Sequence, residues 1–218
     1  VIMIKLFTYI HNRYVLAFGC LDFFVSIITK LRLRILGCKI GKNVKFIGFP
    51  HIDRITVNSH ISIGDNCKFR SRRMSNPLGL VRPCIFALSS SSGCFPQLSI
   101  GDDCGFSGVS LWCFSSIHIG NGVRVGANTI IIDGDAHFDD PRTSAAEPIV
   151  IEDNVFIGAN CIIKKGVTIG RNSVIGMGSI VTKNIPANSI AAGVPCKVIR
   201  YLTEEIQDRM EEYKILKK

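Results

Sequence analysis

Ile151-Glu-Asp-Asn-Val-Phe-Ile157-Gly-Ala-Asn-Cys-Ile-Ile163-Lys-Lys-Gly-Val-Thr-Ile169-Gly-Arg-Asn-Ser-Val-Ile175-Gly-Met-Gly-Ser-Ile-Val181 sets an aliphatic residue at every sixth position. An α-helix repeats its apolar face every three to four residues and a strand every two, so neither yields this period. A chain that turns a corner after each short strand does, and hexads of this kind mark a parallel β-helix. The aliphatic residue points into the coil, a small residue follows, and Asn or Gly accepts a positive φ at the bend. Three phrases close a triangular coil, and coils stack at about the 4.8 Å spacing of paired strands.

Working outward, Ile119, Val125 and Ile131 keep the beat, as do Ile100, Phe106 and Trp112, while Ile40 with Phe46 and Ile63 with Phe69 read as fragments. From Ile131 to Ile151 two phrases would take 12 of 20 positions, which predicts a loop of roughly 8 extra residues. It carries Asp133-Gly-Asp135-Ala-His137-Phe-Asp-Asp-Pro-Arg142, and a second departure runs from Arg70 to Leu98. Loops that interrupt a rigid repeat are common seats of function.

Composition agrees with a globular domain: 218 residues, 47% hydrophobic, 20% charged. Nine cysteines show no Cys-x-x-Cys spacing, and no secretory leader is evident, so reduced buried thiols are expected. Net charge is +9, with Arg70, Arg72 and Arg73 the densest cluster, but no nucleic-acid reading element accompanies it. A polyanionic partner stays open, as does plain solvation of the cluster.

The termini differ from the repeat. Residues 1–36 form an apolar, helical segment interrupted by Lys5, Arg13, Asp22 and Lys30 and followed by Arg32 and Arg34. No stretch is apolar for long enough to span a bilayer. Two readings stand: a basic amphipathic segment on the inner membrane surface, or a cap on the open end of the coils. Residues 37–201 hold the repeat, with loops near 70–98 and 133–148. In 202–218, Thr203 N-caps a short helix with Glu204 and Glu205 first and Lys217 and Lys218 last, and Ile206, Met210 and Tyr213 share a packing face.

Phe156-Ile-Gly-Ala-Asn, Gly166-Val-Thr-Ile-Gly170 and Ala191-Ala-Gly-Val-Pro-Cys-Lys-Val-Ile-Arg200 resemble the hexapeptide-repeat acyltransferases, nearest to their sugar and polysaccharide O-acetyltransferases. Asn76-Pro-Leu-Gly-Leu80 and Gly105-Phe-Ser-Gly108 extend the resemblance over roughly residues 60–200. It implies an all-β, left-handed parallel β-helix, an exception to right-handed crossovers. It also implies a homotrimer with active sites at subunit interfaces, acetyl-CoA as donor and a saccharide as acceptor, while the expected reduced thiols point to a cytoplasmic protein.

The resemblance carries residue roles as well. His137 matches the family's catalytic histidine, an imidazole suited to take a hydroxyl proton and return it to the departing thiolate. Asp133 and Asp135 are candidates to orient it, although Asp135 serves equally to hold the turn. The Ala159 amide corresponds to the oxyanion donor. Met177 replaces the family's alanine beside the pantetheine, which narrows the tunnel or alters acyl choice. Thr182, Lys183, Lys197 and Arg200 match contacts to the distal coenzyme, whose phosphates need cations. Ser107 stands where relatives set a substrate-contacting Asn, and Arg142 contacts the acceptor or solvent. No metal set is expected: a carbonic-anhydrase-like zinc site needs three imidazoles, and only His118 and His137 lie near the right coils. N-acyl transfer to an amino sugar, serine or antibiotic is the competing enzymatic reading, and a non-catalytic trimeric scaffold the other.

Overall fold

The computed structural model describes residues 2–53, 59–90, 95–137 and 139–216. The chain winds a left-handed parallel β-helix whose strands stack into three sheets. The first coil is β1 (Lys39–Ile40), β2 (Lys45–Ile47) and β3 (His51–Asp53), and the second β4 (His60–Ile63), β5 (Lys68–Arg70) and β6 (Ile85–Leu88). The third is β7 (Gln97–Ile100), β8 (Gly105–Ser107) and β9 (Ser110–Cys113), and the fourth β10 (Ser116–Ile119), β11 (Arg124–Val125) and β12 (Ile130–Ile132). The fifth is β13 (Ile149–Ile151), β14 (Phe156–Ile157) and β15 (Ile162–Ile163), and the sixth β16 (Thr168–Ile169), β17 (Val174–Ile175) and β18 (Ile180–Val181). First strands form sheet A, second strands sheet B and third strands sheet C. Then β19 (Ser189–Ala192) extends sheet B, and β20 (Lys197–Tyr201) turns back antiparallel on it.

Register explains the hexads. Ile119, Ile151 and Ile169 pair across sheet A, and Val125, Ile157, Ile175 and Ala191 across sheet B, all in the buried core. Towards the N-terminus the sheet B column turns aromatic. Phe69 is stacked between Phe46 at 5.1 Å and Phe106 at 5.0 Å, with Phe86 edge-on at 5.3 Å.

Corner chemistry follows from the tightness of the coil. A Cβ on Gly64 would stand 2.7 Å from the Gly101 carbonyl carbon, so the residue after the inward aliphatic has no room for a side chain. Asn66, Asn154 and Asn172 then take φ near +60° at the A-to-B corner. There the free amide of each coil is capped by the next: Asp65 accepts from the Lys42 amide at 2.6 Å, Asp102 from Asp65 at 2.7 Å, Asn121 from Asp102 at 2.9 Å and Asp153 from Asn121 at 2.6 Å.

Three expectations are corrected. Trp112 is not inward; Leu111 and Cys113 are, because the corner through Gly108 is one residue short and slips the frame, and the indole donates to Ser89 Oγ at 3.2 Å. Ile131 and Ile151 lie on successive faces, sheets C and A, so one six-residue step separates them and 14 residues leave the coil, not 8. The departure from Arg70 to Leu98 is likewise divided by β6 into two loops.

Helix α1 (Ile2–Ile35) lies against the first coil. Leu33 and Val25 are buried there, and the Ser26 hydroxyl both accepts from the Phe46 amide at 2.8 Å and donates to the Phe46 carbonyl at 3.0 Å. Asp22 accepts from the Gly48 amide and pairs with Arg72 at 3.0 Å. The outermost strand's backbone is thus satisfied by the helix. Ser26→Ala is expected to cost about 1–3 kcal/mol, since it strands a buried donor and acceptor together, and urea unfolding measures it. On its outer side α1 leaves Leu21, Phe24, Ile28, Leu31 and Ile35 exposed. No described helix is long and apolar enough to cross a membrane.

At the other end α2 (Glu204–Leu216) starts behind Thr203, whose carbonyl accepts from the Ile206 and Gln207 amides. Lys217 and Lys218, and the side chains of Met210 and Tyr213, lie outside the described residues. The eight described cysteines are free, all but Cys20 buried.

Candidate active site

A cavity of about 500 Å³ runs along the outer face of sheet B to its corner with sheet C. Alternation builds its floor: Phe69 points in, so Lys68 and Arg70 point out; Val125 points in, so Arg124 points out. Ser107, Ala127, Phe156, Ala159 and Met177 continue the lining towards the C-terminal coils. Asn76 and Leu78 line it from the loop between β5 and β6. Asn128 anchors that loop by accepting from the Val81 amide at 3.0 Å and from Arg82, through its carbonyl, at 2.6 Å.

The B-to-C corner differs from the A-to-B corner in one chemical respect. Where Asp and Asn cap the corner amides of the latter, the B-to-C corner carries Ala127, Ala159 and Met177, whose side chains hold no strong acceptor. Among the described residues, no hydrogen bond engages the Ala159 amide, and Ala159, 3% exposed, lines the cavity. A ligand carbonyl can take that donor.

Ser107, Ala159 and Met177 are therefore brought together. His137, Asp133, Asp135 and Arg142 stand elsewhere, in the loop at the C-to-A corner, and Thr182 and Lys183 share that corner two coils later. Lys197 and Arg200 extend along β20 at the C-terminal edge of sheet B, both exposed. One chain thus holds the predicted residues in two groups, on opposite sides of sheet C.

The His137 loop is internally braced. The His137 carbonyl accepts from the Asp140 amide at 3.1 Å and from Thr143 Oγ1 at 2.8 Å, leaving the imidazole exposed at the tip. Asp133 is wholly buried and accepts from the amides of Phe114 at 2.6 Å and Ser115 at 2.9 Å, so it holds the preceding coil. Burial pushes its carboxyl above the usual range, against the pull of those amides. Asp140 takes the Arg142 guanidinium in a fork, with contacts of 2.9 and 2.6 Å.

Asp135 is bound by the Lys165 ammonium, with Lys164 at 3.7 Å, and Lys165 also donates to the Ser144 carbonyl at 3.1 Å. The Lys165 bond holds the Asp135 carboxyl below its usual 3.8. A depressed carboxylate contributes stability above its unfolded value and loses it as pH falls through the folded one. Backbone amides of 133–148 are therefore expected to lose hydrogen-exchange protection below about pH 3.8, and in Lys165→Met to have lost it already at neutral pH.

The cations Lys68, Arg70 and Arg124 were not singled out as site residues from sequence. The signal was the alternation around Phe69 and Val125, usable only once the register across the loops is known.

The family model for the hexapeptide repeat of succinyl-transferase matches residues 97–132 and 148–183, on either side of the His137 loop. The galactoside O-acetyltransferase of Escherichia coli K12 is 47% identical over 102 residues, 45% of this chain and 48% of that protein. The 2,3,4,5-tetrahydropyridine-2,6-dicarboxylate N-acetyltransferase of Staphylococcus aureus Newman is 41% identical over 93 residues, 43% of this chain and 36% of that protein. The chain thus spans about half the length, or less, of these curated relatives. Among solved structures, AntD, an N-acyltransferase from Bacillus cereus in complex with dTDP and 3-hydroxybutyryl-CoA, shares the fold with a TM-score of 0.64 at 22% identity, covering 87% of this chain and 97% of that one. With the repeat matched on both flanks of the loop and the prism built from it, the chain carries the hexapeptide repeat that this model describes and is similar over that stretch to these acetyltransferases.

Proposed function

We propose that the protein is an acetyl-CoA-dependent O-acetyltransferase, acting on a hydroxyl of a surface polysaccharide or its lipid-linked precursor, with each site assembled between two protomers of a homotrimer. The observation that carries this reading is the division of the site: a cavity with an open corner amide on sheet B, and an exposed imidazole one corner beyond sheet C. Setting the C-to-A corner of one protomer against sheet B of the next brings the two groups together.

In that arrangement His137 removes the acceptor hydroxyl proton as the oxygen attacks the thioester carbonyl. The Ala159 amide receives the negative charge that develops on the carbonyl oxygen. The new C–O bond then forms fully, the C–S bond breaks, and the imidazolium returns its proton to the thiolate of coenzyme A. Phe156 and Met177, about half and two-thirds exposed, offer apolar surface to the pantetheine. Thr182, Lys183, Lys197 and Arg200 serve the distal coenzyme, with Ser107 and Arg142 towards the acceptor. A peripheral position on the cytoplasmic membrane face is supported by the outward apolar stripe of α1 beside Lys30, Arg32 and Arg34.

Co-assembly of two inactive variants tests the reading. His137→Ala disables one side of each interface and Met177→Trp fills the groove on the other. Random mixing in a trimer leaves about a quarter of interfaces with both sides intact, so radiolabel transfer from acetyl-CoA recovers towards that level. No recovery at any mixing ratio would sink the shared site. Label confined to amine acceptors would overturn the O-acyl assignment, and absence of both transfer and coenzyme binding would favour a scaffold.

A further inference from the structure

The cavity is graded along the prism axis, and its cationic end has no role in the chemistry above. Lys68 and Arg124 both pair in register with Gly105, one from each side, so their strands lie about 10 Å apart with Gly105 between them. Arg70 pairs with Ser107, two residues along and on the same face. Three cations thus surround a floor position that has no side chain. Charged lining residues sum to three positive and one negative, the carboxylate being Asp103. No ion pair engages Lys68, Arg70 or Arg124 among the described residues, whereas Arg72 pairs with Asp22 and Lys165 with Asp135.

Gly105 is not required by the backbone. Most corner glycines of the coil either take a positive φ or would drive a Cβ into the next coil at under 3 Å, whereas a Cβ on Gly105 meets nothing within 4 Å and its φ is not positive. The space above it is open because the residue is small, not because the fold compels it. Ser107, on the same strand, also keeps the floor low.

We propose that this end of the cavity is an anion subsite, and that the acceptor is a negatively charged saccharide, carrying a phosphoryl or carboxylate group seated over Gly105 between Lys68, Arg70 and Arg124. The inference deepens the transferase reading and rests on it for the word acceptor. The subsite lies on coils two to four, at the far end of the cavity from Met177, so the reactive carbonyl at Ala159 falls between the anion and the pantetheine. An Arg fork accepts either group in two parallel bonds, and a nearby ammonium adds charge without demanding geometry. A neutral sugar would leave three cations facing one another with Asp103 as the one carboxylate in the lining.

The test uses full-length protein and three probes without acetyl-CoA: a nucleoside diphosphate hexose, a hexuronate oligosaccharide, and the matching neutral oligosaccharide. Binding is read by titration calorimetry for wild type, Gly105→Ala and Gly105→Asp. Charged probes are expected to bind at least about 10-fold more tightly than the neutral one, and Gly105→Asp, which sets a carboxylate among the cations, to abolish that preference. Gly105→Ala, with room for its methyl, should keep it. The two charged arms tell phosphoryl from carboxylate. Equal binding of neutral and charged probes would overturn the inference. So would a Gly105→Asp protein that loses acetyl-CoA affinity instead, assigning the cations to the donor, or one that loses its oligomeric state, assigning them to the subunit contact. Failure of wild type to bind acetyl-CoA would strike the transferase reading alone, because the anion titrations are made without it.

Discussion

Replacing His137 with alanine is expected to lower label transfer from acetyl-CoA by about 10²- to 10⁴-fold, while acetyl-CoA affinity stays within about 2-fold of wild type. The separation follows from where the residue stands. His137 is exposed at a loop tip, and the bonds that brace the loop, from the Asp140 amide and Thr143 Oγ1, go to its backbone carbonyl, so truncation leaves the loop intact. The cavity proposed for the donor is on another sheet of the same chain. A 10²-fold loss corresponds to about 2.7 kcal/mol of transition-state stabilisation. Single-turnover rates with coenzyme titrations alongside provide the measurement. A loss below about 10-fold would remove His137 from the chemistry.

Phe69→Ala is the most damaging packing change, at about 3–5 kcal/mol, because Phe69 is fully buried and touches three other rings. The void cannot close by a sideways shift, since the strands on both sides are held in register by parallel pairing: Phe46 to Phe69 and Phe69 to Phe106. Coils of a solenoid touch only their neighbours, so the loss should be local. Denaturant curves are expected to show the N-terminal coils melting first, with amides around Ile157 and Ile175 keeping their protection. A change below about 1 kcal/mol would mean the stack relaxes around the gap.

The hexads were legible because each period is a direct count of one strand and one corner, and Ile151 to Val181 lie where the sequence marks them. Trp112 was misread because corner length varies by one residue, and after Gly108 the frame slips with no change in residue type to announce it. Loop length was misjudged at Ile131 for a related reason. All three faces bury the same aliphatics, so sequence cannot say whether one face or two were passed. The site suffered most from this. Lys68 and Arg124 are 56 positions apart and meet over Gly105 only after the loops are subtracted, whereas Ala159 and Thr182, much closer in sequence, end on different corners.

The treatment of the prism's ends bears on what the molecule can become. A stack of parallel coils is a template that another stack could continue, and nothing in the hexads themselves sets a length. Here Ser26 occupies the Phe46 backbone of β2 and Asp22 the Gly48 amide just past it at one end of sheet B, and β20, running antiparallel, occupies β19 at the other. Growth by end-to-end addition is stopped at both poles of that sheet, and the flanks are left for association. The same two stops keep a one-dimensional fold from becoming a fibre, and the homotrimer proposed above would have to form by sideways contact between prisms.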